Sequence, residues 1–337
     1  MNKYNLEIPR KRHLNLLIVE GNHEKDKLFQ IVFQTFPELE INIDDVWIYG
    51  TNIYILYNDL LYEYGDTWYE EDVDLPFIVG KKKNHSTILN KKDFTNIYLI
   101  FDYERHDPNF SEQKIKNMQR YFFDSTDMGK LYVNYPMIES YQHFTCFPDT
   151  NYENLTVGVT LRPGSQYKRL IQDTFVAKLI KLPKKIEEIL SDRYGIKDIE
   201  VCKKHTQKIL EISNADNLIE LIKQNLDDIL SYPNLNTAKF QIASLLTNMG
   251  YLQNHISYYI YMRKIFNNIV LHNITKGSKI LNIELKDKDY KSSFELLDLY
   301  EILKVQNNVS RDETLGYIWV LNTCVFIIPD FNFKLIQ

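Results

Sequence analysis

A chain of 337 residues is long enough to bury a large core and points to two domains rather than one. With 44% hydrophobic and 25% charged residues it has the composition of a globular protein, and a net charge of −5 excludes an overall basic field, so binding to nucleic acid has to use a local patch. The longest apolar stretch, residues 317–328, is interrupted by Asn322 and Thr323 and falls short of a membrane span, and no signal-peptide h-region follows the basic residues near the N-terminus. Three cysteines, Cys146, Cys202 and Cys324, lie far apart without C-x-x-C spacing, which fits a reducing cytoplasm and gives no zinc site.

The first element is a run of four apolar residues, Leu16-Leu17-Ile18-Val19, followed at once by Glu20 and Gly21. This pattern predicts a buried strand that ends in a carboxylate and turns tightly into a helix. Residues 22–36 place Leu28, Ile31, Val32 and Phe36 on one helical face. A second strand is expected over residues 45–49, ended by Gly50, with Thr51-Asn52 capping a helix over residues 53–62. Strand, helix, strand, helix in this order favours parallel pairing through right-handed crossovers.

Residues 63–95 break the rhythm, with acidic residues interleaved with Tyr64, Trp68 and Tyr69 and with Lys81-Lys82-Lys83 near the end. They read as a solvated insertion between sheet elements, the alternative being a docking surface for a partner. A third strand, residues 97–101, then delivers Asp102 and Glu104, with Asp107 on the loop beyond. Ser111 is placed to cap a helix over residues 112–123, and a short fourth strand at residues 131–133 leads into Asn134-Tyr135-Pro136-Met137-Ile138-Glu139-Ser140-Tyr141-Gln142-His143. Residues 1–150 therefore form one doubly wound, mainly parallel α/β domain.

Residues 151–337 read as a mostly helical domain, with helices expected over 166–181, 184–193, 205–230, 236–248, 252–273 and 292–304. Lys203-Lys204-His205 is expected to cap or precede a helix as a solvated face, the alternative being a phosphate-contacting role, and the apolar piece at 317–328 has no assignable place. No glycine-rich phosphate loop of the G-x-x-x-x-G-K-[ST] kind occurs.

Glu20 and the Asp102/Glu104 pair both stand at the C-terminal end of a strand, the edge where open α/β sheets bind ligands. If the two strands are neighbours, three carboxylates converge there and repel one another unless a cation lies among them, so a divalent metal site is the natural reading. Glu139 and His143 are four apart on an expected helix, where a surface ion pair and a site are equally compatible with the spacing.

Strand-Glu-Gly followed by strand-Asp-x-acid resembles the toprim domain of topoisomerases, bacterial primases and OLD-type nucleases. The segment carrying Asn134, Pro136, Glu139, Tyr141 and His143 resembles an element of defence-associated toprim proteins such as the RloB-like ones, and the layout resembles the toprim subunit of the PARIS anti-phage system. The resemblance covers about the first 145 residues, and here the acidic pair is D-x-E rather than D-x-D.

It implies a metal-dependent endonuclease acting on RNA (such as tRNA) or DNA, using Mg²⁺ or Mn²⁺. Glu20, Asp102 and Glu104, or Asp107 in place of Glu104, would be the ligands. Glu139 would complete a second metal site, and His143 would bind a phosphate or transfer a proton. It further implies a cytoplasmic effector of anti-phage abortive infection, working beside a separate ATPase and compatible with a homodimer, with no membrane partner. The rivals are a catalytically inactive toprim scaffold and a primase-like nucleotidyl transferase.

Overall fold

Leu16, Leu17, Ile18 and Val19 are all 0% exposed, which requires a strand covered on both faces. They belong to β1 (His13–Val19) in a computed structural model that describes residues 13–22, 24–83, 89–226, 235–285 and 289–336. The basic N-terminal residues considered above lie outside the described part. After β1 a π-helical stretch, Glu24–Phe29, runs into α1 (Gln30–Thr35), followed by β2 (Val46–Ile48) and α2 (Ile53–Tyr64). Next come α3 (Leu75–Lys82), β3 (Phe94–Asp102), α4 (Glu112–Tyr121), β4 (Phe123–Asp124) and β5 (Gly129–Asn134).

The five strands form one sheet in the order β2-β1-β3-β5-β4, parallel throughout except for the β4–β5 edge. The chain therefore builds first to one side of β1 and then to the other. The order reverses between β1 and β3, and the crevice at their C-terminal ends is the ligand-binding position of such sheets. Register sets Val19 opposite Ile100 and Asp102 opposite Asn134. The caps follow local chemistry. Asn52 Oδ1 accepts from the N–H groups of Tyr54 and Ile55 to start α2, and Ser111 Oγ accepts from that of Lys114 to start α4.

The described part of residues 63–95 is not merely a solvated insertion but contributes to the core. Trp68, Val73, Leu75 and Val79 are fully buried, and Trp68 packs edge-on against Tyr57 and Tyr121. The acidic residues between them hid this apolar set, and α3 itself went unexpected.

The remainder is mostly helical. It begins with β6 (Thr156–Gly158), α5 (Lys168–Ile171), α6 (Phe175–Ile180), α7 (Leu182–Tyr194), α8 (Ile199–Leu210), α9 (Leu218–Asn225) and α10 (Leu235–Asn248). It continues with α11 (Tyr258–Ile280), α12 (Tyr290–Glu295), α13 (Leu299–Val309), β7 (Tyr317–Trp319) and α14 (Ile327–Asn332).

Two expected helices are divided by side-chain caps, Thr174 capping α6 through the N–H of Ala177 and Asp298 separating α12 from α13, whereas Asp198, between two expected helices, starts α8 ahead of residue 205. The expected helix over 205–230 breaks before Asn217, which is left-handed at φ 55°, and residues 227–230 lie outside the described part. The helix expected over 252–273 is displaced, because Tyr251–Asn254 is a 3₁₀ turn and α11 runs on to Ile280.

The unassigned apolar piece pairs as β7 with β6 and then returns to the sheet. Leu321 bridges Tyr135, the N–H groups of Thr323 and Cys324 donate to Asn134 Oδ1 at 3.1 Å, and Asn322 donates to the Ile138 carbonyl at 2.7 Å. A segment late in the chain thus fastens the turn that follows β5.

Candidate metal centre

Glu20 follows β1 directly, and its carbonyl accepts from the Gly50 N–H at 2.8 Å, so the end of β2 fixes its backbone. Gly50 has φ +85°, a left-handed backbone that favours glycine. Asp102 is the last residue of β3 and only 6% exposed, and one of its oxygens accepts from the Ile138 N–H at 2.7 Å. Glu104 has a left-handed backbone at φ 46°, uncommon away from glycine, which ends the strand and opens a turn closed by the Asp107 N–H on the Glu104 carbonyl.

These three residues each bring a carboxylate oxygen within 4.8 Å of the others. Among the described residues no lysine or arginine forms a salt bridge with any of them, and Glu20 Oε2 is buried without a hydrogen-bond partner. The electrostatic consequence is uniform. Burial first, then the charges of Glu104 and Glu24, push the Glu20 carboxyl up to about 8, with a backbone hydrogen bond from Asp102 working against them. Burial and then Glu20 and Glu139 push Asp102 well above the carboxylate range. Glu104 is also raised, by burial and by Asp107, with Lys168 pulling it down.

A set of clustered carboxylate oxygens, one shut off from both solvent and hydrogen-bond donors, fits a hard divalent cation. Mg²⁺ and Mn²⁺ take oxygen ligands, and a cation replaces mutual repulsion with attraction.

The other expected site residues divide. Asp107 lies beside the cluster and its charge acts on Glu20 and Glu104. Its own oxygens are held by the Asn52 amide and the Asn109 N–H. Glu139 is 3% exposed and pairs with Lys168 Nζ at 2.8 Å, and its charge reaches Asp102. His143 turns elsewhere. Its Nδ1 lies 3.1 Å from the Tyr167 hydroxyl, and burial, with Lys276 adding and Asp149 opposing, pushes it down to about 4.

The spacing argument for Glu139 and His143 fails because Ile138–Gln142 is a 3₁₀ turn, not an α-helix, with His143 at its end. At three residues per turn, positions four apart no longer share a face. The Lys203-Lys204-His205 run is on α8, with Lys203 paired to Glu200 and His205 buried against the Asn225 carbonyl.

Two contributors escaped the sequence reading. Glu24 folds back so that its Oε2 accepts from the Gly21 N–H at 2.9 Å, and its charge bears on Glu20 and Asp102. A Cβ on Gly21 would stand 3.2 Å from that oxygen, so the Glu-Gly-x-x-Glu pattern was the available signal. Lys168, on α5, is the other, and nothing in its neighbourhood in sequence announces it.

No protein-family model matches this chain, and comparisons with curated proteins and with solved structures find no match.

Proposed function

We propose that this chain is a divalent-metal-dependent nuclease of toprim type that cleaves phosphodiester bonds in nucleic acid. The observation that carries the reading is the convergence of Glu20, Asp102 and Glu104 at the switch point of the sheet, with one carboxylate oxygen buried and unpartnered. Those three residues would hold Mg²⁺ or Mn²⁺, with Glu24 adding negative charge behind them. When bound, the cation supplies positive charge against the charge that grows on phosphate oxygens during cleavage.

The chain's own residues supply the rest. The Ile138 N–H holds one Asp102 oxygen and so fixes the carboxylate in place. Glu20, with its raised pKa, is suited either to ligation or to accepting a proton near neutral pH. Lys168, anchored by Glu139, presents a cation where an anionic substrate would approach. The resemblance to defence-associated proteins supports an effector role beside a separately encoded ATPase.

The test is incubation of the purified protein with Mg²⁺ or Mn²⁺ and separate DNA and RNA pools, comparing wild type with Glu20→Gln and Asp102→Asn. Cleavage that disappears in both variants while the fold survives is the expected result. Full activity in both would sink the nuclease reading, and strand synthesis from nucleotides in place of cleavage would favour the nucleotidyl transferase.

A further inference from the structure

Beside the carboxylate centre lies a second concave feature of opposite character. A cleft of about 330 Å³ is walled by the Ile138–Gln142 turn, α5 and α6, and its lining includes Gln142, Ser165, Lys168, Arg169, Gln172 and Lys181. Glu139 also lines this cleft, and its charge acts on Asp102, so cleft and centre share one wall. Lys168 sits at the junction, within reach of the charges of Glu139, Asp102 and Glu24.

Three cations thus meet on one concave surface of a chain whose net charge is −5. Of the three, Lys168 alone is matched by a carboxylate among the described residues. Among the described residues Arg169 and Lys181 form no salt bridge, and the Lys181 ammonium donates to the Gln172 carbonyl at 2.6 Å, which leaves its charge uncompensated. Neutral donors from Ser165 and Gln172 complete a lining suited to phosphate and sugar oxygens. The arginine adds a planar fork that matches a phosphate in two-point contact. The volume is near the lower end of small-ligand pockets, about 300–1,000 Å³, and so takes a nucleotide-sized unit rather than a duplex.

We propose that the Lys168–Arg169–Lys181 cleft is a phosphate subsite that seats the backbone of a single nucleic-acid strand next to the phosphodiester held at the carboxylate centre. The choice of a nucleic-acid strand as ligand rests on the nuclease reading above. The cleft itself needs no metal, which allows the two to be tested apart. Because the patch is local, the isolated chain should bind in the range of non-specific complexes, roughly 10⁻⁴ to 10⁻⁶ M.

The experiment measures fluorescence anisotropy of short labelled single-stranded DNA and RNA, in chelator and across a salt series. The proteins are wild type, Glu20→Gln, Arg169→Ala/Lys181→Ala and, as control, Lys204→Ala. The double variant should bind about tenfold more weakly, and its log K against log salt slope should shrink by about 1 to 1.5, the loss of two single-strand phosphate contacts. Lys204→Ala should bind as wild type does, and Glu20→Gln, assayed for cleavage, tests the carboxylate centre separately.

Affinity and slope unchanged in Arg169→Ala/Lys181→Ala would overturn the subsite. Equal affinity for a duplex of the same sequence, or a mononucleotide that competes as well as the strand, would overturn the assignment to a single strand. Cleavage that survives Glu20→Gln would remove the nuclease reading without touching the binding result. If the double alanine variant loses its native circular dichroism, Arg169→Gln/Lys181→Gln replaces it, with the same loss expected.

Discussion

Glu20 and Glu139 are the same residue type, both carry oxygens shut off from solvent, and both belong to one small region, yet they are held in opposite ways. Glu139 has Lys168 at 2.8 Å, an internal counter-charge provided by α5. Glu20 has Asp102 and Glu104 as its neighbours, and its own charged form is disfavoured. A buried carboxylate with an internal cation is satisfied by the fold and becomes part of its framework. A cluster without one is satisfied only by protonation or by a cation from outside. Which residues are built for an external ion is therefore decided by where the chain's own cations end up.

The largest expected effect tests that contrast on activity. Glu20→Gln or Asp102→Asn should lower metal-dependent cleavage about a hundred- to a thousandfold, the usual scale for losing charge stabilisation of a transition state. The double variant should be little worse than either single one, because groups acting as a unit are not additive. Rates that fall by the product of the two single effects would argue against a shared centre.

Next in size is the response of stability to metal. Mg²⁺ or Mn²⁺ at about a hundred times its dissociation constant should stabilise wild type by about 2.7 kcal/mol, a shift of several degrees in Tm. Glu20→Gln should lose most of that shift, whereas Glu139→Gln should keep it. A differential scanning calorimetry series in which all three proteins respond alike would remove the distinction between the two glutamates.

In chelator the same contrast should appear as a pH dependence. Glu20 goes from an ordinary value of 4.5 to about 8 in the folded chain, so between these limits the folded state binds a proton that the unfolded state releases. Its contribution to stability is fully present below about pH 4.5 and is lost as pH rises through about 8. The metal-free protein should weaken over that window relative to Glu20→Gln, and a constant difference between the two curves would contradict the assignment.

His143 acts with the opposite sign. Its folded value near 4 makes stability fall as pH drops from about 6.5 to about 4, and His143→Gln should lack that loss. The smallest effect belongs to Glu139→Gln. Its partner Lys168 is 41% exposed and regains water once released, which holds the cost to about 1 kcal/mol in urea unfolding.

Much of the sheet was legible along the chain. Leu16 to Val19 and Ile97 to Phe101 are continuous apolar runs, and burial on both faces demands such runs, so strand, order and the carboxylate at each end could be read directly. The resulting coarse expectation, a mainly parallel α/β sheet followed by a mostly helical remainder, agrees with the architecture. Glu20, Asp102 and Glu104 came within reach because each is one or a few residues from a strand end, where local position and spatial position coincide. Helix breaks at Thr174 and Asp298 were less visible, since a capping threonine or aspartate looks like any other polar residue on a helical face.

Tertiary structure alone decided the rest. Trp68 is buried because helices distant in sequence surround it, and the acidic residues beside it gave the opposite impression. Residues 321–324 find their partners on β5 and the turn after it, about 190 positions earlier, and no periodicity encodes such a partner. Glu139 and His143 diverge because those same contacts accompany a 3₁₀ turn where an α-helix would have aligned them. Lys168 reads in sequence as an exposed helical cation, and only the tertiary fold, which brings α5 beside the Ile138–Gln142 turn, sets it on Glu139. Backbone periodicity is local and short in range, whereas the balance of charge in a buried site depends on every element that closes around it.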